Sequence, residues 1–307
     1  MTQTGICARR VAFDHPCFYG EAKARWGRVH LPVAPDCNIQ CNFCNRLYDC
    51  VNESRPAVTR GVLDPDSVVP YLEYFLRERR DISVVGIAGP GDSMCDPERT
   101  LEILRAVHSA YPHLLICIST NGLNLAGYVD DLLEAGATHV SITMNAVDPI
   151  VGQHIYSYVT VNNRTYRGIE ASALLLSCQK EAIRRLKTQN ITVKINTVVM
   201  PYINDCHVES IAKVAADLGV DVMNCIPMIP VRDTFFEQMA APTDLEMNRV
   251  RGFAALHLPQ VYHCRRCRAD AAGLLCNNEH NKLDYDKNTI HFERFTKQAS
   301  GFAESVR

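Results

Sequence analysis

Cys37, Cys41 and Cys44 stand in the run Cys37-Asn38-Ile39-Gln40-Cys41-Asn42-Phe43-Cys44, three thiols separated by three and then two residues. A loop with that spacing can wrap three thiolates around one face of a cubane iron–sulfur cluster, whose full cysteinyl ligation takes four. Three thiolates leave one iron open, free to bind and activate a small molecule. Structural zinc is the plainer use of cysteine. It takes four closed ligands, usually with close cysteine pairs, and this spacing fits it poorly.

Other metal-competent side chains lie along the chain: Cys17, His30, Cys50, Cys117 and the pair Cys264 and Cys267. Singly, each has a plain reading. A cysteine in a strand is usually a small buried apolar residue, a lone histidine is usually hydrogen-bonded in the core, and two cysteines can be half a zinc site. Glu53 and Arg55 add charge close to the triad. They read either as a surface ion pair of little worth or as a guanidinium that holds an anion, with the carboxylate orienting it or moving a proton.

These residues need a frame. Apolar β-type runs occur at 29–34, 83–88, 114–119, 138–144, 191–199 and 220–226, and amphipathic helical stretches at 65–80, 96–110, 124–135, 169–189, 205–218 and 243–256. Strands that alternate with helices imply βαβ units and a parallel sheet. Six units fall short of the eight of a closed TIM barrel, so the expected fold is α/β, a partial (β/α)6 barrel. The barrel is expected over 29–256, flanked by an N-terminal arm over 1–28 and a C-terminal cluster-binding arm and tail over 257–307. The stretch 148–168 breaks the repeat and reads as a surface insertion or lid.

Each strand ends in a polar or Gly-rich turn, and in parallel α/β folds those ends converge on one mouth. The cysteine loop follows the first strand and so belongs there. Gly89 and Gly91 in Gly89-Pro90-Gly91-Asp92 would let backbone approach a ligand. Thr143 and Asn145 close the fourth strand, and Ile226 lies near the end of the sixth. Lys194 and Asn196 of the fifth strand face the mouth, or Ile195 in the opposite pleat phase.

Composition excludes several classes. The 307 residues carry a net charge of −2, which gives no footprint for a nucleic-acid partner. No run reaches the roughly 18 apolar residues of a membrane span, and Met1-Thr2-Gln3-Thr4-Gly5-Ile6-Cys7 has no signal-peptide core. Fourteen cysteines in such a chain point to a reducing cytoplasm in which several are metal ligands, rather than to a disulfide scaffold. The composition allows a monomer.

The triad, with an aromatic residue just before its last cysteine, resembles the radical S-adenosylmethionine (SAM) superfamily. The resemblance implies a SAM-binding 4Fe-4S cluster on Cys37, Cys41 and Cys44, with Phe43 near the adenine. Gly89, Gly91, Asp92, Thr143, Asn145, Ile195, Asn196 and Ile226 would be SAM contacts. Four further segments narrow the choice: His15-Pro16-Cys17, His30 through Cys50 to Glu53-Ser54-Arg55-Pro56, Ala88-Gly89-Pro90-Gly91-Asp92, and Cys264-Arg265-Arg266-Cys267-Arg268-Ala269-Asp270-Ala271-Ala272-Gly273. Together, over about residues 15–275, they resemble the NifB family of nitrogenase-cofactor maturases, in a stand-alone form without a NifX-like C-terminal domain.

That family takes two further 4Fe-4S clusters as substrates. The resemblance implies His30, Cys50 and Cys117 for the first and Cys17, Cys264 and Cys267 for the second, with Glu53 and Arg55 in catalytic support. It implies methyl transfer from one SAM to a cluster sulfide, radical cleavage of another, and fusion of the two clusters around a carbide with one extra sulfur. The product is an 8Fe-9S-C precursor. Cluster donors and NifEN- or NifX-like carriers would be partners. A different radical SAM enzyme with auxiliary clusters, acting on a peptide or metabolite, and a non-enzymatic cluster carrier are the alternatives.

Overall fold

The computed structural model describes residues 12–56, 59 and 61–275. The elements follow in order: β1 (Gly27–His30), β2 (Ile39–Cys41), α1 (Pro65–Glu78), β3 (Ile82–Ile87), α2 (Pro97–Ala110), β4 (Leu115–Thr120), α3 (Val129–Glu134), β5 (Ala137–Thr143), α4 (Pro149–Gly152), β6 (Tyr156–Val161), β7 (Arg164–Tyr166), α5 (Gly168–Thr188), β8 (Thr192–Val199), α6 (Val208–Asp217), β9 (Val222–Pro227), α7 (Asp244–Ala255) and β10 (Ala272–Leu274). The main sheet has the order β10-β1-β3-β4-β5-β8-β9. The six strands from β1 to β9 run parallel, and β10 runs antiparallel to β1. This is the partial (β/α)6 barrel expected from the alternation.

Side-chain alternation explains the layering. Val29, Val85, Ile87, Ile116, Ile118, Val140, Ile142, Val193, Ile195 and Met223 enter the apolar core that the helices share with the sheet. Their neighbours His30, Gly86, Cys117, Ser119, Ser141, Lys194, Asn196 and Asn224 point into the barrel instead. The helices settle the outer phase because their apolar faces need a partner, and the inner face is released for chemistry.

Two features depart from the expected layout. The stretch 148–168 is a β-hairpin rather than a free lid. β6 pairs with β7 and also with β2 of the cysteine loop, Ile39 opposite Val159 and Cys41 opposite Tyr156. Asn162 and Asn163 turn it with φ of 49° and 61°, the two successive left-handed residues that a tight hairpin turn requires. The C-terminal segment is also more than an arm. Residues 259–261 bond the free edge of β9, through Met223 N to Pro259 O at 2.8 Å and Val261 N to Met223 O at 2.8 Å. Residues 272–274 bond the opposite edge as β10. The stretch between them, with Cys264 and Cys267, therefore spans the gap between the two edges of the curled sheet and covers both, as open edges require.

Residues 12–19 plug the barrel floor. Phe18 packs among Val84, Leu115, Cys117, Val222 and Val261, with Lys194 Nζ 4.6 Å from its ring centre. His263 Nε2 lies 2.8 Å from Pro16 O, which ties the C-terminal segment to this plug. Among the described residues no helix is long and apolar enough to cross a membrane.

Candidate functional site

The cysteine loop leaves β1 at the mouth and is pinned from three sides. Gln40 Nε2 donates to the carbonyls of Cys41 and Cys44, at 3.0 and 2.6 Å. The β6 hairpin supplies the strand partner described above. The turn after β3 presses from the third side: Gly91 N donates to Ala34 O at 2.5 Å and Asp92 N to Asp36 O at 2.7 Å. A Cβ on Gly91 would sit 2.1 Å from Asp36 O. The glycine is thus required by the cysteine loop itself, not only by a ligand. Gly89, at φ 122°, occupies a conformation that side chains disfavour.

Asp92 is committed as well. Its carboxylate accepts from Met94 N at 2.9 Å, Thr120 Oγ1 at 2.8 Å and Asn121 N at 2.5 Å. Asp92 therefore clamps the turn to the end of β4, and Asn121 Nδ2 reaches Asn38 Oδ1 in the cysteine loop at 2.7 Å. Gln179 of α5, donating at 2.8 Å to both Asn121 O and Thr143 O, fixes the ends of β4 and β5.

The triad thiols suit a cubane. Cys41 and Cys44 are buried and Cys37 half-buried. Burial first, then the neighbouring Cys44, Cys37 and Cys50 sulfurs, push the Cys41 thiol well above its ordinary range. Burial, then Asp92 and Cys50, do the same for Cys37. Arg46 opposes this as the nearby cation for Cys37, Cys44 and Cys50. Among the described residues no three His, Cys, Asp or Glu are close enough to share a single metal ion. A cubane instead gives each thiolate its own iron. Phe43 is buried in the apolar cluster that holds Ile226, with its ring stacked on Phe236 at 6.4 Å.

Cys50 lies on the triad side. Asn52 Nδ2 stands 3.7 Å from both Cys41 Sγ and Cys50 Sγ, and Asn52 Oδ1 accepts from Asn145 Nδ2 at 3.2 Å. Asn52 itself lines a chamber of about 700 Å³, its open mouth included. His30 and Cys117, grouped with Cys50 by the sequence reading, line that chamber, whereas Cys50 does not. Cys17, Cys264 and Cys267 line the same chamber. The structure thus brings five of the six expected substrate-cluster ligands to one space and sets Cys50 at its partition with the triad.

The chamber carries positive charge. Lys194, Arg265 and Arg266 line it. Arg28, 2% exposed, donates to Cys267 Sγ at 2.7 Å and to Gly273 O. Arg266 donates to Pro227 O at 2.6 Å and to Val51 O, lashing the C-terminal segment to β9 and to the chain beyond Cys50. Arg268 and Asp270 form a two-point pair, at 2.7 and 3.0 Å.

Glu53 projects into the chamber, where Thr143 Oγ1 donates to it at 2.5 Å and Asn196 Nδ2 at 2.9 Å. Burial raises its carboxyl, and the bond from Thr143 partly offsets this. Thr143, Asn145 and Asn196, expected as direct SAM contacts, are engaged with Glu53 and Asn52. Burial pushes Cys17 up to about 11 and Cys117 up to about 12, so both are protonated thiols at neutral pH, and a thiol must lose its proton to become a metal ligand. Burial lowers His30 to about 3, leaving a neutral imidazole.

Two expectations are corrected. Ile195 has 0% exposure in the core behind the sheet, because the pleat turns Lys194 and Asn196 inward. Arg55 is exposed. Ser54 is buried beside it, bonded to Ala88 O at 3.1 Å, and the turn sends Arg55 outward. Only its backbone approaches the site, donating to Cys267 O at 3.2 Å. The guanidinium groups found at the chamber instead include that of Arg28, which reaches Cys267, and that of Arg266, which lines it. Arg28 carries no signal in the sequence; His15, Asn52 and Arg266 stood in three of the segments that resemble the family, without a role of their own.

A curled parallel sheet with a three-cysteine loop at its mouth defines a radical SAM protein, and the sequence model of the radical SAM superfamily matches residues 31–215. Among solved structures, HydG, a maturase of the FeFe-hydrogenase, has a TM-score of 0.55 at 10% identity over 76% of this chain and 50% of that one. Streptococcus suis SuiB bound to S-adenosylmethionine has a TM-score of 0.53 at 14% identity over 77% and 50%. These likenesses concern the fold.

Curated relatives are more specific. The FeMo cofactor biosynthesis protein NifB of Methanocaldococcus infernus is 43% identical over 86% of this chain and 87% of its own length. That of Chlorobaculum tepidum is 44% identical over 85% and 62%, and that of Bradyrhizobium diazoefficiens 38% over 93% and 59%. The chain belongs to the NifB family, and it spans about three-fifths of the length of the last two relatives.

Proposed function

We propose that this chain is the radical SAM maturase of nitrogenase-cofactor assembly, joining two 4Fe-4S substrate clusters, a SAM-derived carbon and one extra sulfur into the 8Fe-9S-C precursor. One observation carries the reading: Cys17, His30, Cys117, Cys264 and Cys267 line a single chamber beside the cysteine loop. Two clusters that must fuse need a shared space, and a generic radical SAM enzyme has no use for that ligand set.

Cys37, Cys41 and Cys44 would hold the resident cluster, which when bound supplies an open iron for SAM and the electron that splits it. Phe43 and Ile226 form the apolar side on which adenine can rest. Gln40, Gly91 and Asp92 keep the loop in place. Asn52 separates the triad from the chamber while touching both Cys41 and Cys50. Glu53, with its carboxyl raised by burial, is placed to take or give a proton at a guest in the chamber. Arg28, Lys194 and Arg266 balance the charge of anionic clusters. Cluster donors would load the chamber, and NifEN- or NifX-like carriers would take the product.

The test is iron stoichiometry after anaerobic reconstitution. The reading expects about twelve irons per chain, three cubanes, and about four fewer in the double variant Cys264→Ala, Cys267→Ala. A wild-type count of about four would refute the chamber reading and leave a radical SAM protein of another kind.

A further inference from the structure

We propose that His15 is a hydrogen-bond donor to the cluster in the chamber, a positioning residue and not an iron ligand. This rests on the reading of the chamber given above. Two histidines line that space, His15 and His30, and their partners place their protons oppositely. His30 Nδ1 lies 3.2 Å from Arg268 O. A carbonyl only accepts, so the proton sits on Nδ1 and the Nε2 lone pair is free for iron. His15 Nδ1 instead accepts the backbone N–H of Cys17 at 3.2 Å. Its lone pair is used there, so in the neutral ring the proton sits on Nε2.

That Nε2 is buried and has no hydrogen-bond partner. His15 is 1% exposed, so water does not satisfy it at the surface. Nor is the ring free to turn: Phe18 lies 4.4 Å and His139 4.6 Å from it, centre to centre. Buried donors left unpaired are rare in folded proteins and call for an explanation. The chamber supplies one. The acceptor arrives with the guest, as the sulfides and cysteinyl sulfurs of an iron–sulfur cluster. The same imidazole orients Cys17 through its backbone, so one side chain sets both the ligand and the donor. Hydrogen bonds to cluster sulfurs tune reduction potential. A donor favours the more negative, reduced state, so it raises the potential.

Two substitutions separate this role from mere support of the Cys17 loop. His15→Asn keeps an acceptor where Nδ1 stands and deletes the donor. His15→Gln keeps a donor where Nε2 stands and deletes the acceptor. The full chain is reconstituted anaerobically and titrated by spectroelectrochemistry, with the triad cluster as internal reference. A hydrogen bond to a charged acceptor is worth about a tenfold shift, about 59 mV for one electron. His15→Asn should lower the chamber-cluster potential by about that much and leave the triad cluster unmoved, whereas His15→Gln should stay near wild type. His15→Asn at the wild-type potential, or an equal displacement in both variants, would overturn the proposal. A wild-type chain that retains only the triad's iron would overturn it together with the chamber reading.

Discussion

Arg28→Met should separate two quantities that usually move together, the stability of the empty fold and the retention of a cluster. Arg28 is among the largest fully buried side chains, and its Nε has no partner. Its guanidinium meets a thiol and a carbonyl, Cys267 Sγ and Gly273 O. Burying a cation costs several kcal/mol even after relaxation, and two charge-assisted bonds return about 1.5–3 kcal/mol each. The terms nearly cancel in the empty chain, and methionine keeps the packing of the stem. The variant should therefore unfold in urea within about 2 kcal/mol of wild type.

The loaded chain is different. Cys267 is then a thiolate on an anionic cluster in a desolvated site. Removing the buried counter-charge there costs about 3–5 kcal/mol, a weakening of at least about a hundredfold. Chelator competition, followed by loss of the iron–sulfur absorbance, reads this directly. Retention within threefold of wild type, combined with a large loss of stability in the empty chain, would show that Arg28 is only a structural strut.

Three further outcomes follow from the geometry. Gly91→Ala drives a Cβ to 2.1 Å from Asp36 O; such overpacking costs about 1–3 kcal/mol or more, and the electron paramagnetic resonance signal of the triad cluster should fall with it. A full-strength signal would show that the turn yields freely. Asn52→Leu removes the amide 3.7 Å from both Cys41 and Cys50, and should shift that signal without lowering total iron; an unshifted signal would make the amide electronically inert. Burial holds His15 well below the ordinary imidazole range, and His30 and His139 at about 3. The unfolded chain then binds more protons below about pH 6.5, so this stability is present above 6.5 and is lost as pH falls toward 3, by up to about 1.4 kcal/mol per pH unit for each histidine. Urea midpoints at pH 7, 6 and 5 should fall, and less steeply for His139→Phe; a flat profile would contradict the burial argument.

Much of this was legible in the chain because it is local. The triad spacing, the six strands with their helices and the polar strand ends all follow from neighbours in sequence. The rest depends on contacts between distant segments. Ile195 and Lys194 could each have faced inward, since both faces of the strand are buried and only the helix layer breaks the tie. The hairpin at 156–166 read only as an insertion or lid, because its pairing with β2 lies more than a hundred residues away. Arg55 seemed the natural anion anchor from its position near the triad, yet the buried Ser54 turns it outward, while Arg28, on the first strand, is the guanidinium that reaches Cys267. Cys50 stands at the partition between the triad and the chamber, where Asn52 bridges it to Cys41, a contact with no sequence signature.

The central claim is best tested with SAM carrying a labelled methyl carbon, added with dithionite to the anaerobically reconstituted chain. The account predicts 5′-deoxyadenosine together with label retained in an acid-labile iron–sulfur product. Formation of 5′-deoxyadenosine with no label in any cluster, in a preparation shown to hold its clusters, would contradict it.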